Sequence, residues 1–299
     1  MKHKGYWFLF GSLFILFCAF VFFIVALFLT VGNDEGLLAS RGDLAVIEIK
    51  GPIFESKQVV DQLDRVYKND HLKGLILRID SPGGSVGASQ EIYQAVLRVK
   101  EKKKVIVSMG AVAASGGYYI AVAADKIVAN PGTITGSIGV LMDYANVQEL
   151  LQFLKIHAEV LTAGKMKDIG SPLRPIKPEE RKFLEDILEN MHQQFKVAVM
   201  KGRNFSQQKI NEIADGRVFT GEQALALGLI DKLGYQQTAI DLAKDMLGLK
   251  KEPKLVYPKK KKLDFLDLLV GDESESTLTK LFYSLREGKA LYWTKGINL

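Results

Sequence analysis

Residues 74–102 read GLILRIDSPGGSVGASQEIYQAVLRVKEK, and residues 104–129 read KVIVSMGAVAASGGYYIAVAADKIVA. The first stretch joins a strand-like run (GLILRI, 74–79) to a Gly-rich turn (DSPGGSVG, 80–87). Helical spacing follows from Ala88 to Lys102, with Ile92, Ala95, Val96 and Val99 on one face. The second opens on a strand (KVIVSM, 104–109), turns through AVAASGGYYIAVAA into a helix and closes on KIVA (126–129). Strands separated by helices of this length predict a mostly parallel sheet with crossover helices, hence an α/β fold.

The same alternation extends outward. LAVIEI (44–49) reads as a strand and SKQVVDQLDRVYK (56–68) as a helix. NPGTITGSIGV (130–140) is another Gly-rich loop, NVQELLQFLK a helix and HAEVLT (157–162) a further strand. From Pro178 to Gly248 the patterns are nearly all helical, which suggests packing or assembly elements. No internal repeat is visible, so residues 44–249 form one domain.

Upstream, Tyr6 to Val31 contains no Asp, Glu, Lys, Arg or His. A helix of roughly 20 apolar residues spans a bilayer core, whereas the apolar region of a cleaved signal peptide is about 7–15 residues long. Residues 6–31 are therefore expected to be a retained transmembrane anchor, with 1–5 cytoplasmic and 32–43 a polar linker. Lys2 and Lys4 precede the span and Asp34 and Glu35 follow it. The positive-inside rule then puts residues 32–299 on the outer side of the membrane. The tail, 250–299, begins basic and Pro-punctuated (KKEPKLVYPKKKK), and its later segments could form short amphipathic helices.

Composition removes several function classes. One cysteine excludes a disulfide scaffold and any multi-cysteine metal site. The net charge of +6 is accounted for by Lys2, Lys4 and Lys259 to Lys262. The remainder balances, so no nucleic-acid-binding face is expected. The Gly-rich loops match neither G-x-G-x-x-G nor G-x-x-x-x-G-K-[ST], which argues against a nucleotide cofactor.

In open α/β sheets, sites form beyond the carboxyl ends of strands. The loops 80–87, 108–117 and 130–140 are candidates for such ends, together with the stretch after 157–162. Ser115 lies between Ala114 and Gly116-Gly117, where small neighbours permit a sharp turn that exposes a hydroxyl. The amide after it could donate to an oxyanion; a serine that merely caps the following helix would read the same way. A nucleophilic serine needs a base. His3 lies before the anchor, His71 and His157 precede strands, and His192 falls mid-helix, away from the loops. Lys165 and Lys167, in LTAGKMKDIGSP, are better placed. A lysine can act as base if burial lowers its pKa from ~10.4 toward ~7. Ser137, in the third loop, could hydrogen-bond such an amine.

DSPGGSVGAS, SMGAVAASGGYYIAVAADKIVANPGTITGSIGV, GKMKDIGSP and DGRVFTGEQALALGLID carry a resemblance. Over residues 44 to about 235 the chain resembles the bacterial signal peptide peptidase A family, whose core is of the Clp protease/crotonase type. The resemblance implies a membrane-anchored serine peptidase, a hydrolase with a Ser/Lys dyad that degrades signal peptides left in the membrane after preprotein processing. Ser115 matches the family's nucleophile, Lys167 its general base and Ser137 the serine orienting that base. Gly84 and Gly116 match the oxyanion amides. The choice of Lys167 over Lys165 rests on the family pattern. No metal and no cofactor are implied, and H-E-x-x-H is absent. The implied partners are signal peptides and other hydrophobic peptides, the lipid bilayer of the inner membrane, and further copies of the chain in a ring-shaped homo-oligomer. Two alternatives stand beside this reading: a crotonase-like acyl-CoA enzyme, and a non-catalytic membrane scaffold that keeps the fold.

Overall fold

The computed structural model describes residues 42–257 together with 14, 16–18, 20–22, 291 and 292. Of the anchor expected over 6–31, residues 14, 16–18 and 20–22 are helical and exposed, and the rest lies outside the described residues. Among the described residues no helix is long and apolar enough to cross a membrane. Apart from 291 and 292, the tail beyond 257 also lies outside the description.

The core is the expected α/β assembly. The strands β1 (Leu44–Lys50), β2 (Gly74–Ser81) and β4 (Lys104–Ala114) form its centre and run parallel. Their near-continuous apolar runs are what a parallel sheet covered on both faces demands. Alternate residues part to the two faces, as the period of 2 requires. Ala45, Ile47, Leu75, Leu77, Val105 and Val107 enter the larger core, under α1 (Lys57–Lys68) and α2 (Val86–Lys100). Leu44, Val46, Ile76 and Ile106 enter a smaller one, closed by Ala239, Ile240 and Ala243 of a late helix, Gln236–Met246. The sheet ends on β9 (Leu255–Val256), parallel to β1, and the two chain segments are tied by Asp43, whose carboxylate accepts from Lys254 N at 3.0 Å.

On its other side β4 has two successive partners. β5 (Lys126–Ala129) pairs with residues 106–108, and β6 (Ile134–Gly136) with residues 112–114. Between them the register against β2 shifts, so Ile79 opposes Met109 whereas Ser81 opposes Ala113. Across this bulge β4 continues past its expected end at Met109 as far as Ala114, and so delivers the chain directly to Ser115.

Three expectations need correcting. HAEVLT (157–162) is not a strand: its residues are exposed and unpaired in any sheet. The place beside β6 is taken by β7 (Val218–Thr220), which runs antiparallel to it. The helical region after 178 also contains β7 and β8 (Lys232–Leu233), short strands that complete the sheet. The helix over NVQELLQFLK shortens to α4 (Gln148–Phe153), after α3 (Gly116–Ala121). The long helix α5 (Pro178–Arg203) packs on α3 through Phe195, whose ring lies 4.9 Å from that of Tyr119.

Candidate active site

Ser115 sits where β4 passes into α3, with φ 55° and ψ −120°. A non-glycine residue held there costs on the order of 1–3 kcal/mol and must be fixed by its surroundings. Its N–H donates to Gly136 O at 2.8 Å, which extends the β4–β6 ladder by one bond. The residue is 1% exposed. Its hydroxyl caps nothing, and Oγ has no hydrogen-bond partner. A helix-capping role is therefore excluded, and a buried polar atom left unpaired on a strained turn has the profile of a reacting group.

Gly84 and Gly116 come together beside it. A Cβ on Gly116 would lie 3.3 Å from the Gly84 nitrogen and would overlap Ser89 Oγ, while one on Gly84 would overlap the Ile53 carbonyl. Gly84 needs glycine because the Ile53 backbone approaches it, and Gly116 because Ser89 Oγ and the Gly84 nitrogen crowd it. The first amides of a helix have no acceptor within it, so the Gly116 amide suits an oxyanion hole. Gly116→Ala keeps the amide N–H, but its Cβ would overlap Ser89 Oγ and crowd the Gly84 nitrogen, so the donors shift and kcat is expected to fall by up to about 10²-fold, the size of losing one oxyanion donor. Peptide kinetics beside a thermal melt check this; an unchanged kcat in folded protein would remove Gly116 from the site. Gly84 and Ser85 form β3, against which Tyr292 and Leu291 pair antiparallel as β10.

Ser137 follows β6 with φ 51° and is buried. Since Ala114 pairs with Gly136, Ser137 occupies the next position after that rung, as Ser115 does on its own strand. Its N–H donates to Arg217 O at 2.9 Å. Arg217 is in turn clasped by Asp215, whose carboxyl this hydrogen-bonded guanidinium lowers to about 2. His192 lies closer than its mid-helix position suggested: Nε2 is 3.1 Å from Ile138 O, one residue from Ser137. The packing of α5 on α3 brings it there. A carbonyl only accepts, so that nitrogen carries hydrogen and cannot take a proton from a serine.

The two candidate lysines lie on the surface. Both Lys165 and Lys167 are exposed, on an arm that leaves Phe153 83% and Leu161 98% exposed. Neither bonds Ser115 Oγ in the single chain. The turn containing Lys167 is nevertheless tied down. Arg174 Nε donates to Asp168 Oδ2 at 2.8 Å, and its two terminal nitrogens donate to the Glu180 carboxylate at 2.6 and 2.8 Å. Bonded this way, Arg174 holds the carboxyls of Asp168 and Glu180 below the usual range. With depressed folded values, their stabilising effect is present above the unfolded pKa and is lost as pH falls through the folded one. Sequence reasoning missed this cluster and Ser89; a Glu three positions into a Pro-initiated helix was the one local signal.

The family model for peptidase family S49 matches residues 98–250, and that for Clp protease matches residues 44–133. A putative protease of Synechocystis sp. is 43% identical over 213 residues, 71% of this chain and 76% of that protein. The chloroplastic serine protease SPPA of Arabidopsis thaliana is 35% identical over 252 residues, 81% of this chain but 37% of its own length. A putative signal peptide peptidase SppA of Enterococcus faecium is 35% identical over 222 residues, 74% of this chain and 62% of that protein. The chain thus spans less than two thirds of the latter two.

Proposed function

The chain belongs to peptidase family S49, and from that premise we propose that it is a membrane-anchored serine peptidase that degrades signal peptides. The observation that carries the reading is Ser115 Oγ, buried and unpartnered on a strained turn next to Gly116, with the Gly84 nitrogen close by. In the proposed reaction Ser115 attacks a peptide carbonyl and passes its proton to neutral Lys167, oriented by Ser137. The amides of Gly84 and Gly116 hold the oxyanion. Lys167 protonates the departing amine, and water then hydrolyses the acyl-enzyme. A substrate would lie extended along Gly84–Ser85, an edge that accepts the antiparallel segment 291–292.

The apolar span at 6–31 would hold the chain as a single pass in the inner membrane, with the peptidase domain outward. A phosphatase fusion after Lys250 should then be active, and an inactive fusion paired with an active cytoplasmic reporter would reverse the orientation. The exposed arm, with Phe153 and Leu161, is the surface a ring-shaped homo-oligomer would cover; sedimentation of the detergent-solubilised chain as a monomer would remove the ring.

The test of function is digestion of a synthetic signal peptide by the full chain in detergent, alongside a folded protein and an acyl-CoA thioester. Internal cleavage of the signal peptide is expected, with the other two left intact. Thioester turnover without peptide cleavage would favour the acyl-CoA enzyme, and no turnover of any substrate would favour the scaffold. The three relatives described above are named as proteases or a peptidase, so neither alternative draws support from them.

A further inference from the structure

We infer that the Asp168–Arg174–Glu180 cluster fixes the turn that carries Lys167, making Asp168 and Arg174 positioning residues for the general base; the inference rests on the hydrolytic reading above. The arm is exposed along most of its length, yet at this one place it is joined to a carboxylate that is 1% exposed. Glu180 lies in the first turn of α5, and that helix is seated in the core by Phe195, Ala198 and Val199. Glu180 Oε2 also accepts from Lys177 N at 3.1 Å, so its position is set from the helix side as well. Arg174 bridges from this fixed point to Asp168, the residue next to Lys167, and reaches both its carboxylate and, at 3.4 Å, its carbonyl.

The turn itself is wound around Lys167. Lys167 N donates to Gly164 O, Ile169 N to Met166 O and Ser171 N to Asp168 O. Its far side is stapled by Val147 N to Pro172 O, and by the Tyr144 hydroxyl to the carbonyls of Ser171 and Arg174. A rigid path therefore runs from the core through α5, Glu180, Arg174 and Asp168 to the lysine. Net stability does not account for it, because a buried ion pair contributes little over apolar packing. Placement does, because a misplacement of about 1 Å at a reacting group can cost about 10²-fold in rate.

The experiment is a double-mutant cycle on the full chain in detergent, with kcat and KM measured on an internally quenched peptide and folding followed by thermal melting. Arg174→Gln is expected to lower kcat roughly 10- to 100-fold with KM little changed. Asp168→Asn leaves the Arg174–Glu180 pair in place and weakens the link to the lysine turn by removing its charge, since the amide oxygen and the backbone carbonyl of residue 168 can still accept. It should give a smaller fall in the same direction, which keeps the test valid if Arg174→Gln does not fold. In a Lys167→Ala background the residual rate should not fall further on adding either change. A second fall there of the same size, or a kcat within twofold of wild type for both folded single variants, would overturn the positioning role. If Lys167→Ala alone keeps the wild-type kcat, the base assignment has failed, an outcome separate from either of those.

Discussion

Ser115→Ala is expected to abolish peptide hydrolysis while the protein stays folded and becomes no less stable. In a serine peptidase, loss of the nucleophile costs about 10⁶-fold in kcat, and what remains is the work of the oxyanion hole and binding. The stability half follows from the local geometry. Ser115 Oγ makes no hydrogen bond, so its removal breaks none. A buried unsatisfied hydroxyl carries a desolvation penalty of about 1–3 kcal/mol, part of which alanine removes. Alanine keeps the Cβ, so the strain at φ 55° stays. Cleavage of a synthetic signal peptide, fluorophosphonate labelling and a thermal melt measure the three parts together. Near-wild-type turnover by the variant would end the assignment.

Lys167→Ala should be nearly as damaging, with a different signature. An ammonium has no lone pair to accept the Ser115 proton, so the wild-type rate should climb with pH as the base loses its proton. The variant should lose that climb, while Lys165→Ala keeps it. Because Lys167 is exposed in the single chain, its replacement should move stability by no more than about 0.5 kcal/mol. A pH–rate profile of the three proteins decides the matter. A dead Lys165→Ala with an unaltered Lys167→Ala would move the base to the other lysine, and two unaltered profiles would end the dyad.

The central strands were legible because burial on both faces leaves an apolar run: GLILRI and KIVA are strands where they were read. β7 and β8 were not, because three and two residues carry no period and take their conformation from β6 and β5, distant in sequence. HAEVLT failed for the converse reason: its composition is strand-like, but its residues are exposed and pair with no strand. The small residues around Ser115 pointed to its turn, and the structure adds the positive φ and the missing partner. Lys167 came from the family pattern, and in the single chain it is exposed and makes no hydrogen bond to Ser115 Oγ. His192 against Ile138 and Arg174 against Glu180 depend on how α5 crosses the fold, which no local pattern encodes.

The tie between Asp43 and Lys254 joins residues 211 apart, and the helix that covers Leu44, Val46, Ile76 and Ile106 begins only at Gln236. Synthesis proceeds from the N-terminus at about 5–20 residues per second, so roughly 10–40 s separate the emergence of Asp43 from that of Lys254. Throughout that interval β1 has an unfilled edge and the sheet an uncovered apolar face, the condition in which strands pair with the wrong chain. The nascent domain therefore passes through a vulnerable stage that the finished one conceals, and a chaperone that shields β1 until the helix Gln236–Met246 arrives would raise its yield without touching its active site.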